Sequence, residues 1–102
     1  MGTNFVYRFM IQSFAHKGLR NFFESGDTKK ISSSHIDRIR NILARLNSAK
    51  DLRDMNYPGS NLHPLKKPPF KGFYSVNVSG NYRVIFRFEN GDAYDVNYLD
   101  TH

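Results

Sequence analysis

The chain has 102 residues, 39% of them hydrophobic and 24% charged, with 15 Lys+Arg against 9 Asp+Glu for a formal charge of +6. This length fills the core of one domain and would starve two, and an aromatic content of 15% argues against disorder. The absence of cysteine excludes disulfides, thiolate zinc sites and cysteine nucleophiles, while the basic balance favours an anionic partner: nucleic acid, an acidic protein or a membrane surface.

Residues 1–9 (MGTNFVYRF) read as an extension or remnant ahead of a single domain at 10–102, with Met10 a second candidate start. No apolar run approaches the roughly 18 residues that span a bilayer, and the opening segment lacks the pattern of a signal peptide. A cytoplasmic protein with no membrane association is therefore expected. Residues 9–14 are short and mostly apolar, as a first strand would be. Residues 16–25 carry Leu19, Phe22 and Phe23 at helical spacing, and Gly26-Asp27 ends that helix.

Ser32, Ser33 and Ser34 are N-cap candidates for a second helix, with Asp37 three residues after Ser34 in a capping-box position. Ile36, Ile39, Ile42, Leu43 and Leu46 form its apolar stripe, the strongest periodic signal in the chain. From Asn56 the punctuation changes. A turn-rich loop holds all four prolines among basic residues (PGSNLHPLKKPPFKG). Three strand-like runs follow at 73–78, 82–89 and 92–99, separated by Ser79-Gly80-Asn81 and by Asn90-Gly91, a favoured hairpin turn. Helices first and strands afterwards predict an α+β domain, two N-terminal helices packed on a small antiparallel β-sheet.

Alternation along residues 82–89 sets Val84, Phe86 and Phe88 on one face and Arg83, Ile85 and Arg87 on the other. The apolar face must meet the helices, so both arginines fall on the open face. There an arginine fork can clamp a phosphate, or pair with cross-strand carboxylates such as Asp95, and alternation leaves both options open. His63, Lys66, Lys67 and Lys71 form a basic patch stiffened by prolines, which is either a solvated loop or a polyanion site. Beside Arg83 it would combine cations for a phosphoryl group with an imidazole for proton transfer. His102 supplies a second imidazole. Phe70, Phe73 and Tyr82 are the candidates for stacking on bases. The four histidines are scattered, with none at the i, i+4 spacing of a helical metal site, and no cofactor-binding motif is present, so neither metal nor cofactor is expected.

The segments SFAHKGLRNFFESGD, LHPLK and KGFYSVNVSGNYRVIFRFENGDAYDVNYLDTH, in that order across residues 10–102, resemble the HigB toxins, the plasmid-maintenance branch of the RelE superfamily. The resemblance implies a RelE-like α+β fold and the toxin of a type II toxin–antitoxin system. It further implies a ribosome-dependent endoribonuclease, an mRNA interferase that arrests growth by inhibiting translation. The implied reaction is metal-independent attack of a ribose 2'-hydroxyl on the adjacent phosphate in the decoding site.

The family's histidine and lysine in the HPLK motif fall on His63 and Lys66, its sheet arginine in the N-aromatic-R motif on Arg83, and its terminal histidine on His102. These four are the expected catalytic residues: Arg83 and Lys66 against phosphate charge, His102 as acid or base, His63 as base or phosphate ligand. Lys67, Lys71, Tyr82 and Arg87 are the expected RNA contacts. Family members usually end in Asp-Tyr-His, whereas this chain ends in Asp100-Thr101-His102, which removes an aromatic face, so a slower or differently selective enzyme is expected. Implied partners are a HigA-like helix-turn-helix antitoxin and the ribosome with its mRNA, with operator DNA reached only through the antitoxin complex. Two other readings stay open: a non-catalytic ParE-like toxin that binds DNA gyrase, and a degenerate toxin acting only with its antitoxin in operon repression. Lys66, Arg83 and His102 in one cleft would favour the nuclease.

Overall fold

The structure is a computed structural model in which residues 10–101 are described; the expected extension at 1–9 and His102 lie outside the described residues. Helix α1 spans Lys17–Ser25. It begins at His16, whose Nδ1 accepts the Leu19 backbone N–H at 2.9 Å, and ends at Gly26 in the left-handed region (φ 77°), whose N–H donates to the Phe22 carbonyl. Gly18 in the first turn admits the returning chain, because a Cβ there would overlap the Lys30 side chain. Helix α2 spans Ile36–Ser48 and buries Ile39, Ile42, Leu43 and Leu46 of the expected stripe, with Ile36 partly buried against the core.

The entry to α2 departs from the expected serine cap. A 3-10 turn at Ser33–His35 precedes it, no serine side chain caps the helix, and the Ser32 and Ser34 hydroxyls lie 3.3 Å from each other. Asp37 pairs with Arg40 at 2.7 Å instead of reaching back. A second 3-10 turn at Leu52–Met55, with Asp51 and Asp54 forming a capping box, leads into the loop.

Four strands follow: β1 (His63–Pro64), β2 (Tyr74–Ser79), β3 (Tyr82–Glu89) and β4 (Asp92–Asp100), all antiparallel in the order β1-β2-β3-β4. Asn90 (φ 53°) and Gly91 (φ 83°) make the β3–β4 turn with both central residues at positive φ, as a two-residue hairpin requires. The expected first strand is only an extended segment, joined to β4 by isolated parallel bridges at Ile11–Ala93 and Phe14–Val96. A bulge interrupts the ladder there. Ile85 faces Asn97 but Arg87 faces Tyr94, so Phe86 opposes two residues, and Asp95 takes φ 54°.

The core lies on one side of the sheet, where Leu19, Phe22, Ile39, Leu43 and Leu46 of the helices meet Val76, Val84, Phe86 and Val96 of the strands. Both helices occupy that side, which leaves the other face of the sheet to the loop that follows Pro64. Among the described residues no helix is long and apolar enough to cross a membrane.

Candidate active site

Residues directly opposed in an antiparallel ladder share a face. The register therefore lays two rows across the side of the sheet away from the helices. One runs His63, Ser75, Ile85, Asn97; the other runs Asn77, Arg83, Leu99. Over part of these rows residues 65–73 double back as a closed loop, held by Leu65 N–H to the Phe73 carbonyl at 2.8 Å, Gly72 N–H to the Leu65 carbonyl at 3.2 Å and Phe70 N–H to the Lys67 carbonyl at 3.1 Å. A groove of about 590 Å³ runs between loop and sheet, lined by Leu65 and Phe70 from the loop, Ile85 and Leu99 from the strands, and Lys66 and Thr101. This face was expected to be open. The loop corrects that in one respect, for Ile85 is fully buried although it stands outside the core cluster.

The two arginines of β3 separate. Arg87 donates to Asp95 at 2.9 Å and to Glu89 at 2.8 Å and stacks on Tyr94, 5.2 Å from its ring centre. The Asp95 hydrogen bond, then the surrounding negative charge, raise its pKa above the ordinary guanidinium value. Arg83 has no carboxylate opposite. Its register partners are Asn77 and Leu99, and its Nη1 is buried without a hydrogen-bond partner. A guanidinium nitrogen withdrawn from water and left unpaired is costly, and an arriving phosphate oxygen would relieve that cost. In the neighbouring row the Ser75 hydroxyl is likewise buried and unpaired.

His63 is half-buried, with Nδ1 2.9 Å from the Asn61 carbonyl. A carbonyl only accepts, so Nδ1 carries the proton and Nε2 of the neutral ring is left as the acceptor. Lys66, Lys67 and Lys71 are exposed and make no ion pair among the described residues. Lys66 and Lys67 line the groove; Lys71, on the far limb of the loop, does not. The end of β4 is pinned beside β3, because Thr101 donates both its N–H and its hydroxyl to the Asn81 carbonyl, each at 2.8 Å.

Tyr82 stands on the helix side, not with Arg83. Its ring centre is 4.8 Å from that of His35 and 5.5 Å from that of Tyr98. Within this cluster the Tyr98 hydroxyl lies 2.6 Å from His35 Nδ1, and burial raises the phenol above its ordinary pKa. His16 lies 5.5 Å from Tyr98, ring centre to ring centre. No sequence signal connected these histidines; both reach Tyr98 because the turn before α2 and the cap of α1 both end over β4. No group of three His, Cys, Asp or Glu that could hold a metal occurs among the described residues.

The structure thus brings His63, Arg83 and the Lys66–Lys67 loop to one face, commits Arg87 to surface ion pairs, and turns Tyr82 to the other side. Residues 12–102 match a family model described as RelE-like toxin of type II toxin-antitoxin system HigB. An Endoribonuclease HigB of Proteus vulgaris is 42% identical over 93 residues, 91% of this chain and all of that one. Toxin HigB-1 of Vibrio cholerae is 30% identical over 91% of this chain and 98% of its own, and an uncharacterized protein of Haemophilus influenzae is 29% identical over 89% and 90%. With the α+β architecture, the family match over nearly the whole domain and relatives matched along nearly their whole length in agreement, the chain belongs to the HigB family of RelE-like toxins from type II toxin–antitoxin systems.

Proposed function

We propose that this toxin is an endoribonuclease that cuts messenger RNA on the translating ribosome. The observation that carries the reading is Arg83: a guanidinium with one nitrogen buried and unpaired, on the face that also holds His63 and borders the Lys66 loop. That arrangement supports binding and polarising a phosphodiester. In the proposed reaction a base takes the proton of a ribose 2'-hydroxyl, O2' attacks the adjacent phosphorus, and the bond to the 5'-oxygen breaks. That oxygen leaves with a proton from an acid, so the products are a 2',3'-cyclic phosphate and a 5'-hydroxyl end.

Arg83 and Lys66 hold the charge that grows on the non-bridging oxygens. His63, through Nε2, acts as base or phosphate ligand, and His102 as acid or base; the role of His102 rests on the family motif alone. No metal takes part. Lys67 and Lys71 bind the RNA backbone beside the cut. Few nucleotide contacts fit on so small a face, so the ribosome supplies alignment and free RNA is cut poorly. The partner is a HigA-like antitoxin, whose complex with the toxin represses their operon, and the site of action is the cytoplasm.

The test is to map mRNA 5' ends after a brief pulse of expression, with Arg83→Ala alongside the wild type, in cells and in a purified translation system. Cuts within translated frames that need ribosomes and vanish in Arg83→Ala are expected. Arrested growth with intact mRNA would overturn the reading in favour of a target binder such as a gyrase poison. Intact mRNA without arrest would point to a toxin that only binds its antitoxin.

A further inference from the structure

The groove between the Pro-rich loop and the sheet has no part in the proton transfers just described, yet Lys66 lines it and so does Leu99, the cross-strand partner of Arg83. Leu99 is the direct cross-strand partner of Arg83, and Ile85 stands two residues along the same strand on the same face, roughly 6–7 Å away. Both are apolar where a sheet facing water would carry polar side chains. Facing them from the loop are Leu65 and Phe70, with Lys66 and Lys67 also lining the space. The Phe70 ring packs edge-on against Phe73 at 5.5 Å, and the loop is tied at both ends by backbone hydrogen bonds, so the aromatic surface is held in place and not improvised on binding.

We propose that this groove receives one nucleobase of the RNA strand whose phosphate lies at Arg83, and that Phe70 is its stacking surface. The inference rests on the nuclease reading and deepens it. A nucleobase has apolar faces, which Leu99 and Phe70 can cover, and it arrives attached to a phosphate, which the unpaired Arg83 and the loop lysines attract. An uncharged apolar ligand would leave the cations unused, and a bare anion would leave the groove unfilled. Stacking is tolerant of base identity, so Phe70 sets how tightly the substrate is positioned more than which codon is cut.

The experiment couples the ring to the base. Ribosome-bound mRNAs carrying a single abasic nucleotide at each position around the cut are cleaved by wild type, Phe70→Ala and Phe70→Tyr, and kcat/KM is measured for each pair. In the wild type, one abasic position should cost roughly ten-fold, and Phe70→Ala should cost about the same on intact mRNA. On the abasic mRNA Phe70→Ala should cost nothing further, and Phe70→Tyr, which keeps the ring, should restore the coupling. Phe70 lies outside the core cluster, so the thermal midpoint of Phe70→Ala should match that of the wild type. Cleavage with an abasic penalty that is undiminished in Phe70→Ala at every position would bring down the groove assignment alone. No cleavage by the wild-type toxin would bring down the nuclease reading, and the groove with it.

Discussion

Arg83 and Arg87 stand four residues apart on one face of one strand, and their fates differ because of what the neighbouring strands place opposite them. Asn77 and Leu99 flank Arg83 and offer no negative charge, whereas the β4 bulge turns Asp95 toward Arg87. Replacing Arg83 by alanine should lower cleavage by roughly 10²–10³-fold, the usual cost of losing a preorganised donor to transition-state charge. Stability should be unchanged or slightly higher, since a buried unpaired group is removed. Arg83→Lys should recover only part of the rate, because an ammonium lacks the two-pronged fork. Single-turnover cleavage and thermal melting of the same preparations check both halves; a large drop in melting temperature would mean that Arg83 is structural. Arg87→Ala should do the reverse, costing little stability because both partners are well exposed, with little change in cleavage. Alternation had set both arginines on the right face. It could not separate them, since the separation depends on a bulge and a register that arise only when the strands pair. The same alternation puts Tyr82, expected as an RNA contact, with Val84 on the helix side and away from Arg83, which is where its ring is found.

Helix α1 depends on an uncommon cap. His16 Nδ1 accepts the Leu19 N–H only while it is unprotonated, and burial lowers the His16 pKa below its ordinary 6.5, with its own backbone hydrogen bond opposing. The unfolded chain then binds more protons than the folded one in the interval below 6.5, so stability falls as pH falls through that interval. The cap contribution is complete above 6.5 and is lost on acidification through the folded value. His16→Asn, which caps without titrating, should flatten the stability–pH profile there. His16→Ala should cost about 1 kcal/mol near neutrality. Urea unfolding from pH 7.5 down to 5 reads both, and parallel profiles for wild type and His16→Asn would assign the acid sensitivity elsewhere. The elements easiest to read were those whose signal is local: the α2 stripe, the Gly26 stop and the Asn90-Gly91 turn. β1 was invisible because two residues inside a proline-rich loop become a strand only by pairing with Ser75 and Tyr74. The serine cap failed for a similar reason, as His35 is drawn into the core by Tyr98 and the chain tightens into a 3-10 turn ahead of α2.

Across the whole molecule, the helices cover one side of the sheet and the proline-rich loop lies over the other, so the charges of Lys66 and Lys67 are added to the face that carries Arg83. Long-range attraction to a polyanion then guides binding before any specific contact forms. Such binding releases condensed counterions, so the logarithm of the association constant falls linearly with the logarithm of salt concentration, by roughly 0.7 to 0.9 per phosphate contact. Lys67 and Lys71 are exposed and make no ion pair among the described residues, which leaves their charges available to phosphates. Lys67→Gln combined with Lys71→Gln should therefore weaken ribosome binding uniformly across mRNA sequences and reduce the salt slope by about 1.4 to 1.8. Arg87→Ala should leave the slope nearly unchanged, since the charge that it removes is neutralised within the fold by Asp95 and Glu89. Affinities measured over a series of salt concentrations distinguish the two. An equal loss of slope in both variants would show that net charge alone governs association; a loss confined to the lysine pair would identify the loop as the part of the toxin that meets the RNA backbone.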